Sequence, residues 1–140
     1  MDKVFLDTDV LIDFLIDREP FATYAAEIMS LADKGSIQVS VSALSINNIH
    51  YIIRKYLSEK KTRDILGDLL AMIEILKVDK QDIQQALVSP FKDFEDAIQH
   101  SVATQEGELE VIITRNIKDY KKAAIQVFSP EQYLKLRSLS

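Results

Sequence analysis

Residues suited to metal chemistry occur in three short acidic stretches that lie far apart in the chain. Asp7 ends a first apolar run, Asp93 and Asp96 stand three positions apart, and Asn116 and Asp119 follow a later apolar run. Residues three apart share one face of a helix, so the Asp93 and Asp96 carboxylates repel each other unless a cation lies between them. Carboxylate, amide and water oxygens are the ligands that Mg²⁺ prefers. The pattern therefore favours an oxygen-ligand site for Mg²⁺ or Mn²⁺.

Carboxylates that hold Mg²⁺ or Mn²⁺ are suited to the chemistry of phosphodiesters. The ion neutralises the phosphate, lowers the pKa of an attacking water and stabilises the leaving oxygen. It also reverses the sign of a site whose own ligands are negative. Other chemistries lack their motifs, because cysteine is absent, His50 and His100 are far apart, and neither a G-x-S-x-G elbow nor a phosphate-binding glycine loop is present.

A simpler interpretation of several acids is that they cap or flank helices. Thr8 or Asp9 can cap the helix that follows the first strand, and for Asp9 this explanation is as good as a chemical one. Asp93 and Glu95, taken alone, fit a solvated acidic first turn that the helix dipole favours.

Asp7 and Asp96 are harder to explain in this way. Asp7 ends a hydrophobic strand, which gains nothing from an unpaired charge. Asp96 precedes Ala97 and Ile98, which begin an apolar helical stripe that should pack against the sheet. His100 extends the face of Asp96 by one turn. We therefore expect Asp7 and Asp96 to lie near the sheet surface.

The elements that must position these residues alternate along the whole chain. Apolar runs predict strands at residues 4–6, 37–41, 73–78, 111–114 and 125–128. Apolar spacing, caps and breakers predict helices over residues 10–16, 21–32, 43–56, 60–72, 80–89 and 94–105, a helical turn over 117–122 and a C-terminal helix from Pro130. This alternation is typical of a three-layer α/β/α fold with a mostly parallel sheet of about five strands. Since such sheets bind ligands at the carboxyl ends of their strands, Asp7 and residues 114–116 should meet at one edge.

Length and composition restrict the class of protein. With 140 residues, 47% of them hydrophobic, and only three glycines and three prolines, the chain fits one domain over residues 1–140. No apolar run is long enough to span a membrane and the N-terminus leads directly into a strand, so we expect a cytoplasmic protein. The net charge of −5 argues against broad attraction to nucleic acid or anionic membranes, so a nucleic-acid substrate would require local basic patches or bound metal ions.

Taken together, the acidic stretches resemble the motifs of the PIN domain. The resemblance spans nearly the whole chain and is carried by residues 4–12, 93–97 and 114–120, with further similarity over residues 128–134. It implies the fold of a metal-dependent ribonuclease, often the toxin of a bacterial toxin–antitoxin pair. Family members bind Mg²⁺ or Mn²⁺ and commonly dimerise. The resemblance thus implies RNA, an antitoxin protein and a second copy of the chain as partners.

The resemblance also implies roles for individual residues. Asp7 matches the first catalytic aspartate and Asp96 the aspartate of the later helix, and these two would be the principal metal ligands. Asn116 stands where many members have a fourth acid, and Asp119 is the nearby acid of the same motif. Asn48 stands where many members have a glutamate, and the pattern resembles a PIN subgroup with these asparagines. Asp93, Asp119, Asn116 and Asn48 would assist directly or through water.

Basic and aromatic residues near these motifs are candidates for substrate contacts. Arg115 and Lys118, with Lys121 and Lys122, follow the third motif and are suited to binding phosphates. Arg54, Lys55, Lys60, Lys61 and Arg63 form a second basic group, although solvated helix surface explains most of these positions. For Tyr51 and Tyr56, stacking on bases is one interpretation, and packing in the core or a dimer is the favoured one.

Two other functions remain as alternatives. Residues 7–10 fit the aspartate signature of haloacid-dehalogenase-like phosphatases, but the acid pair that such enzymes need would here be Glu95 and Asp96, at a helix start. The second alternative is a PIN-fold module that binds RNA or protein without cleaving it. Asn48 and Asn116 favour this alternative, whereas the concentration of mutually repelling acids argues against it.

Overall fold

The computed structural model describes residues 2–105 and 107–139, which form a sheet of five parallel strands with helices on both faces. The strand order across the sheet is β3-β2-β1-β4-β5. The strands are β1 (Asp2–Leu6), β2 (Ile37–Ser42), β3 (Glu74–Leu76), β4 (Val111–Ile113) and β5 (Gln126–Phe128). The predicted three-layer fold with a parallel sheet of about five strands is therefore confirmed.

The helices divide between the two faces of this sheet. They are α1 (Thr8–Leu15), α2 (Phe21–Asp33), α3 (Ala43–Ile53), α4 (Glu59–Leu70), α5 (Lys80–Leu87), α6 (Phe94–Thr104) and α7 (Pro130–Ser138), with a 3₁₀ turn at Ile117–Tyr120. Val4 and Leu6 face a core shared with α1, α2, α3, α4 and α7, whereas Phe5 faces α5 and α6. This alternation of side chains along β1 is what gives the molecule its two cores. No helix in the described ranges is both long and apolar enough to span a membrane.

The carboxyl ends of β1 and β4 adjoin at the centre of the sheet. Leu6 is in register with Ile113, and the Asp7 N–H donates to the Ile113 carbonyl at 3.0 Å, which continues the pairing by one residue. The chain order runs outward from β1 to β3 and then returns to β4 on the other side of β1. This reversal is the position at which open parallel sheets bind ligands.

Several boundaries differ from those predicted, among them those of α1, α3 and β3. Helix α1 begins at Thr8, and its N-cap is Asp7, not Thr8 or Asp9. Helix α3 ends at Ile53 and not at residue 56, because Arg54 closes the last turn and donates from its guanidinium to the Leu57 carbonyl at 2.7 Å. Strand β3 pairs over only three residues of the predicted six.

Candidate active site

Asp7 lies on the floor of the candidate site, between the end of β1 and the start of α1. Its side chain is 5% exposed and accepts hydrogen bonds from the Thr8 N–H and the Thr114 hydroxyl, both at 2.8 Å. Burial raises the pKa of this carboxyl, although the bonds from Thr114 and Thr8 act in the opposite direction. Asp7 is thus both a helix cap and a buried carboxylate held in one orientation.

Asp9 and Asp13 are two further acids on α1. The Asp9 Oδ2 atom accepts from the Arg115 N–H at 3.2 Å, while its buried Oδ1 atom accepts no hydrogen bond from the described residues. Burial, followed by the Asp7 charge, raises the pKa of Asp9 to about 7. Asp13 is 1% exposed and pairs with Arg115 at 2.6 Å and with Arg18 at 2.7 Å. Asp13 was not among the predicted site residues, although a charged residue among the apolar residues of α1 was a usable signal.

The second acidic stretch forms the first turn of α6 on the opposite side of the site. Asp93 is exposed and caps the helix by accepting from the Asp96 N–H at 3.0 Å. Asp96 is 9% exposed, and the hydroxyl of the buried Tyr120 lies 3.4 Å from its Oδ1 atom. Burial and the charges of Asp7, Asp93 and Asp119 raise the pKa of Asp96 to about 7. Asp7 and Asp96 therefore lie close enough for the ionised Asp7 carboxylate to disfavour ionisation of Asp96.

Asn48 and Glu95 connect α3 to α6 across the site. The Asn48 Nδ2 atom donates to Glu95 Oε1 at 2.6 Å, and both side chains are half-buried. Glu95 lies in the acidic first turn of α6 as expected, but it is only partly solvated, and burial raises the pKa of its carboxyl. Glu95 and Asp96 also lie in the first turn of α6, and not after a strand as the phosphatase alternative requires.

A network of buried polar side chains connects the elements that carry the site. The fully buried Gln99 side chain donates to Ser45 Oγ at 2.8 Å and to Thr8 Oγ1 at 3.1 Å, and it accepts from the Ser42 hydroxyl at 2.5 Å. The Thr8 and Ser45 hydroxyls are 2.7 Å apart. These contacts tie α1, β2, α3 and α6 together below the carboxylates. Gln99 was not singled out in the sequence, although its place inside the apolar stripe of α6 marked it.

Six of the predicted site residues meet at one open cleft of about 600 Å³. We call it the acidic cleft, and its lining includes Asp7, Asn48, Asp93, Asp96, Asn116 and Asp119, together with Thr8, Asp9, Ile12, Arg18, Tyr51, Ile52, Lys55 and Glu95. The predicted convergence of the three acidic stretches at one sheet edge is therefore what the fold produces.

Two of the predicted residues are not part of that lining. Arg115 directs its guanidinium to Asp13 and stacks on Phe21 at 3.9 Å from the ring centre. Lys118 lines an adjoining cleft. His100 does not line the acidic cleft either, because its ring accepts from the Ala124 N–H at 2.9 Å and stacks on Phe91.

Comparison with known proteins finds a ribonuclease and toxin–antitoxin complexes among the similar chains. "Ribonuclease VapC1" of Aquifex aeolicus is 24% identical over 137 residues, covering 94% of this chain and 93% of that protein. A toxin–antitoxin complex from Klebsiella pneumoniae contains a chain with a TM-score of 0.67 and 25% identity, covering 91% of this chain and 97% of that one.

Other solved structures share the fold at lower identity. A chain of the DNA-bound VapBC from Salmonella typhimurium has a TM-score of 0.68 and 20% identity, with coverage of 93% here and 99% there. VapC20 of Mycobacterium tuberculosis, described as a Sarcin-Ricin loop cleaving toxin, has a TM-score of 0.66 and 14% identity, with coverage of 84% here and 95% there. The sequence model of the PIN domain matches residues 3–118. This chain belongs to the PIN domain family.

Proposed function

We propose that this protein is a metal-dependent endoribonuclease and the toxin of a toxin–antitoxin pair. The observation that carries the proposal is the meeting of Asp7 and Asp96 in the acidic cleft, where each raises the electrostatic cost of ionising its neighbours. The relative named a ribonuclease matches over nearly the whole of both chains, which supports the same activity. RNA is the proposed substrate.

The donors of the acidic cleft fit Mg²⁺ or Mn²⁺. Burial raises the pKa of Asp7, and burial with neighbouring charge raises the pKa values of Asp9 and Asp96. One buried oxygen of Asp9 has no hydrogen-bond donor among the residues that the structure describes. A cation relieves each of these costs. Within the described residues no three Asp, Glu or His side chains are grouped to hold a metal by themselves. Mg²⁺ commonly binds through one or two carboxylates and keeps several waters, so Asp7 and Asp96 are the proposed direct ligands.

The remaining polar residues have supporting roles in this proposal. Asp93, Asp119, Asn116 and Asn48 contact the ion directly or through water. When bound, the ion neutralises the phosphate and acidifies the attacking water. The Thr114 hydroxyl holds Asp7, and the Tyr120 hydroxyl faces Asp96, so both carboxylates are oriented before substrate arrives.

A protein partner and a second copy of the chain are further parts of the proposal. The similar structures from Klebsiella pneumoniae and Salmonella typhimurium are toxin–antitoxin and DNA-bound VapBC complexes, which supports an antitoxin for this chain. The homodimer and the cytoplasmic location stay predictions from the sequence.

Cleavage of a mixed RNA pool by the purified protein tests the proposed activity. Wild type, Asp7→Asn and Asp68→Asn are compared with Mn²⁺, with Mg²⁺ and with EDTA. Asp68 is an exposed acid on α4 that is not in the acidic cleft, so it controls for loss of one negative charge. We expect metal-dependent cleavage by wild type and Asp68→Asn and its loss in Asp7→Asn. Absence of cleavage in every sample, with both variants folded, would support the non-cleaving binding module instead.

A further inference from the structure

Tyr51 and Lys55 form an exposed pair on the rim of the acidic cleft. Both line the cleft, and the Tyr51 side chain is 69% exposed. The Lys55 Nζ atom lies 5.2 Å from the centre of the Tyr51 ring. Tyr51 was expected to pack in the core or in a dimer. The core part is wrong, since the ring belongs to neither core cluster of the described residues, and packing in a dimer stays a prediction. The pair presents a free aromatic face and a positive charge beside a cleft of carboxylates.

Four lysines line a second cleft that adjoins the acidic one. We call it the lysine cleft; its volume is about 450 Å³ and its basic residues are Lys92, Lys118, Lys121 and Lys122. The two clefts share Asp93 and Asp119 in their linings, so they are adjacent. None of the four lysines forms an ion pair within the described ranges, unlike Lys60, which pairs with Asp64. The positive charge of this cleft is available to an anionic ligand in a chain whose net charge is −5.

We propose that Tyr51 with Lys55 and the lysine cleft are two RNA subsites on either side of the acidic cleft. An RNA base stacks on Tyr51 with a phosphate near Lys55, and backbone phosphates farther along the strand lie in the lysine cleft. This inference rests on the proposed ribonuclease function. It identifies the residues that bind the substrate. The carboxylates of the acidic cleft do not by themselves indicate which residues these are.

The chemistry of the two subsites favours an unpaired strand over a duplex. A base must leave its own stack to lie on a protein ring, which is how single-stranded RNA is usually bound. Lysine is suited to phosphates as a point charge without base preference. The alternative is that a second copy of the chain or a protein partner packs on Tyr51. In that case the affinity for RNA does not depend on the Tyr51 ring.

Binding of a labelled RNA tests the aromatic subsite separately from cleavage. The probe is an unpaired RNA of about twelve nucleotides, with a hairpin duplex as comparison, and every variant is made in the Asp7→Asn background so that the probe survives. We expect Tyr51→Ala to weaken binding of the unpaired probe at least about fivefold and Tyr51→Phe to stay within about twofold. The matched control is Tyr56→Ala, because Tyr56 is 67% exposed but does not line the acidic cleft. Equal affinities of Tyr51→Ala and Tyr56→Ala overturn the stacking role.

The salt dependence of the same binding tests the phosphate contacts. Each phosphate contact on a single strand contributes about 0.7 to the slope of log affinity against log salt. We expect Lys55→Gln to reduce the slope by about that amount and the double variant Lys121→Gln/Lys122→Gln by about twice as much. Lys34→Gln, an exposed lysine at the end of α2, is the control and should leave the slope unchanged. Slopes equal to that of the control overturn the phosphate subsites.

Cleavage by the wild type is measured in parallel, so the two proposals fail in different ways. If the wild type cleaves RNA while all variants bind equally, the subsites are wrong and the ribonuclease stands. If the predicted losses of binding occur but the wild type does not cleave, the subsites stand and the nuclease function is wrong.

Discussion

At the scale of single residues, the site consists of carboxylates whose surroundings in the folded protein make their ionisation unfavourable. Asp7 has two roles, since it caps α1 and also lines the acidic cleft. The sequence alone did not show that one residue has both. Capping of the helix was expected from Thr8 or Asp9, and the structure assigns it to the candidate catalytic residue itself. A structural role and a chemical role are therefore compatible in one side chain.

The pKa of Asp96 predicts how stability depends on pH when no metal is bound. Because its folded value is about 7 and its ordinary value is 3.8, the folded state binds more protons between these values and loses stability as the pH rises through this range. Above pH 7 the loss is complete. In EDTA, Asp96→Asn should therefore raise the Tm by about 3–5 °C at pH 8 and have almost no effect near pH 4.

Thermal unfolding followed by circular dichroism measures this difference. Mn²⁺ should stabilise the wild type at pH 8 and remove the advantage of the Asn variant, because the ion compensates the same charge. A Tm difference that is the same at pH 4 and pH 8 would show that the ionisation of Asp96 carries no cost.

Arg115 and Lys118 are neighbours in the candidate substrate motif, but the structure gives them different surroundings. Arg115 pairs with the buried Asp13 and stacks on Phe21, whereas Lys118 is exposed in the lysine cleft. Arg115→Ala leaves the Asp13 carboxylate with Arg18 alone, so we expect a loss of about 1–3 kcal/mol in the free energy of unfolding.

The matched variant Lys118→Ala should change the free energy of unfolding by less than about 0.5 kcal/mol and weaken RNA binding instead. Urea denaturation and RNA binding of both variants separate the two roles. Unchanged stability in Arg115→Ala would favour its original interpretation as a residue that binds substrate.

At the scale of elements, the Gln99 network explains how four elements hold one site. Gln99 on α6 contacts Thr8 of α1, Ser42 of β2 and Ser45 of α3. Replacement of this buried amide by an apolar side chain removes one hydrogen-bond partner from each of the three hydroxyls. Gln99→Leu should therefore lower the free energy of unfolding by about 2–4 kcal/mol.

The control for this prediction is Gln84→Leu, at an exposed position of α5, which should stay within about 0.5 kcal/mol of wild type. Urea denaturation of both variants provides the measurement. Equal stability of the two variants would mean that the network has no structural importance.

Element positions were largely predictable because strands and helices differ in the spacing of their apolar residues. The runs before Asp7 and Thr114 appeared as buried strands, and Gly35 closed α2 with a positive φ of 77° as a glycine C-cap should. The end of α3 was not predictable, because its apolar spacing continues to Tyr56 while the helix ends at Ile53, where the Arg54 side chain bonds to the Leu57 carbonyl three residues on. Helix ends depend on such local bonds more than on periodicity.

At the scale of the whole molecule, the parallel order of strands brings three distant acidic stretches to one edge. That convergence follows from topology, so the sequence was sufficient to predict it for Asp7, Asp96 and Asn116. The bond between Asn48 and Glu95 and the pairing of Asp13 with Arg115 depend on how α1, α3 and α6 pack, and no spacing along the chain encodes them. The net charge likewise does not show that an acidic cleft and a lysine cleft lie on the same molecule.

The proposed function requires that Asp7 and Asp96 bind the same metal ion. Titration of Mn²⁺ into the protein by calorimetry at pH 7.5 tests it most directly, using wild type, Asp7→Asn, Asp96→Asn and the double variant. We predict one ion per chain in the wild type and at least about tenfold weaker binding in each single variant. The double variant should be little worse than either single one, because both carboxylates act on the same ion. Mn²⁺ affinity in Asp7→Asn and Asp96→Asn equal to that of the wild type would contradict the claim.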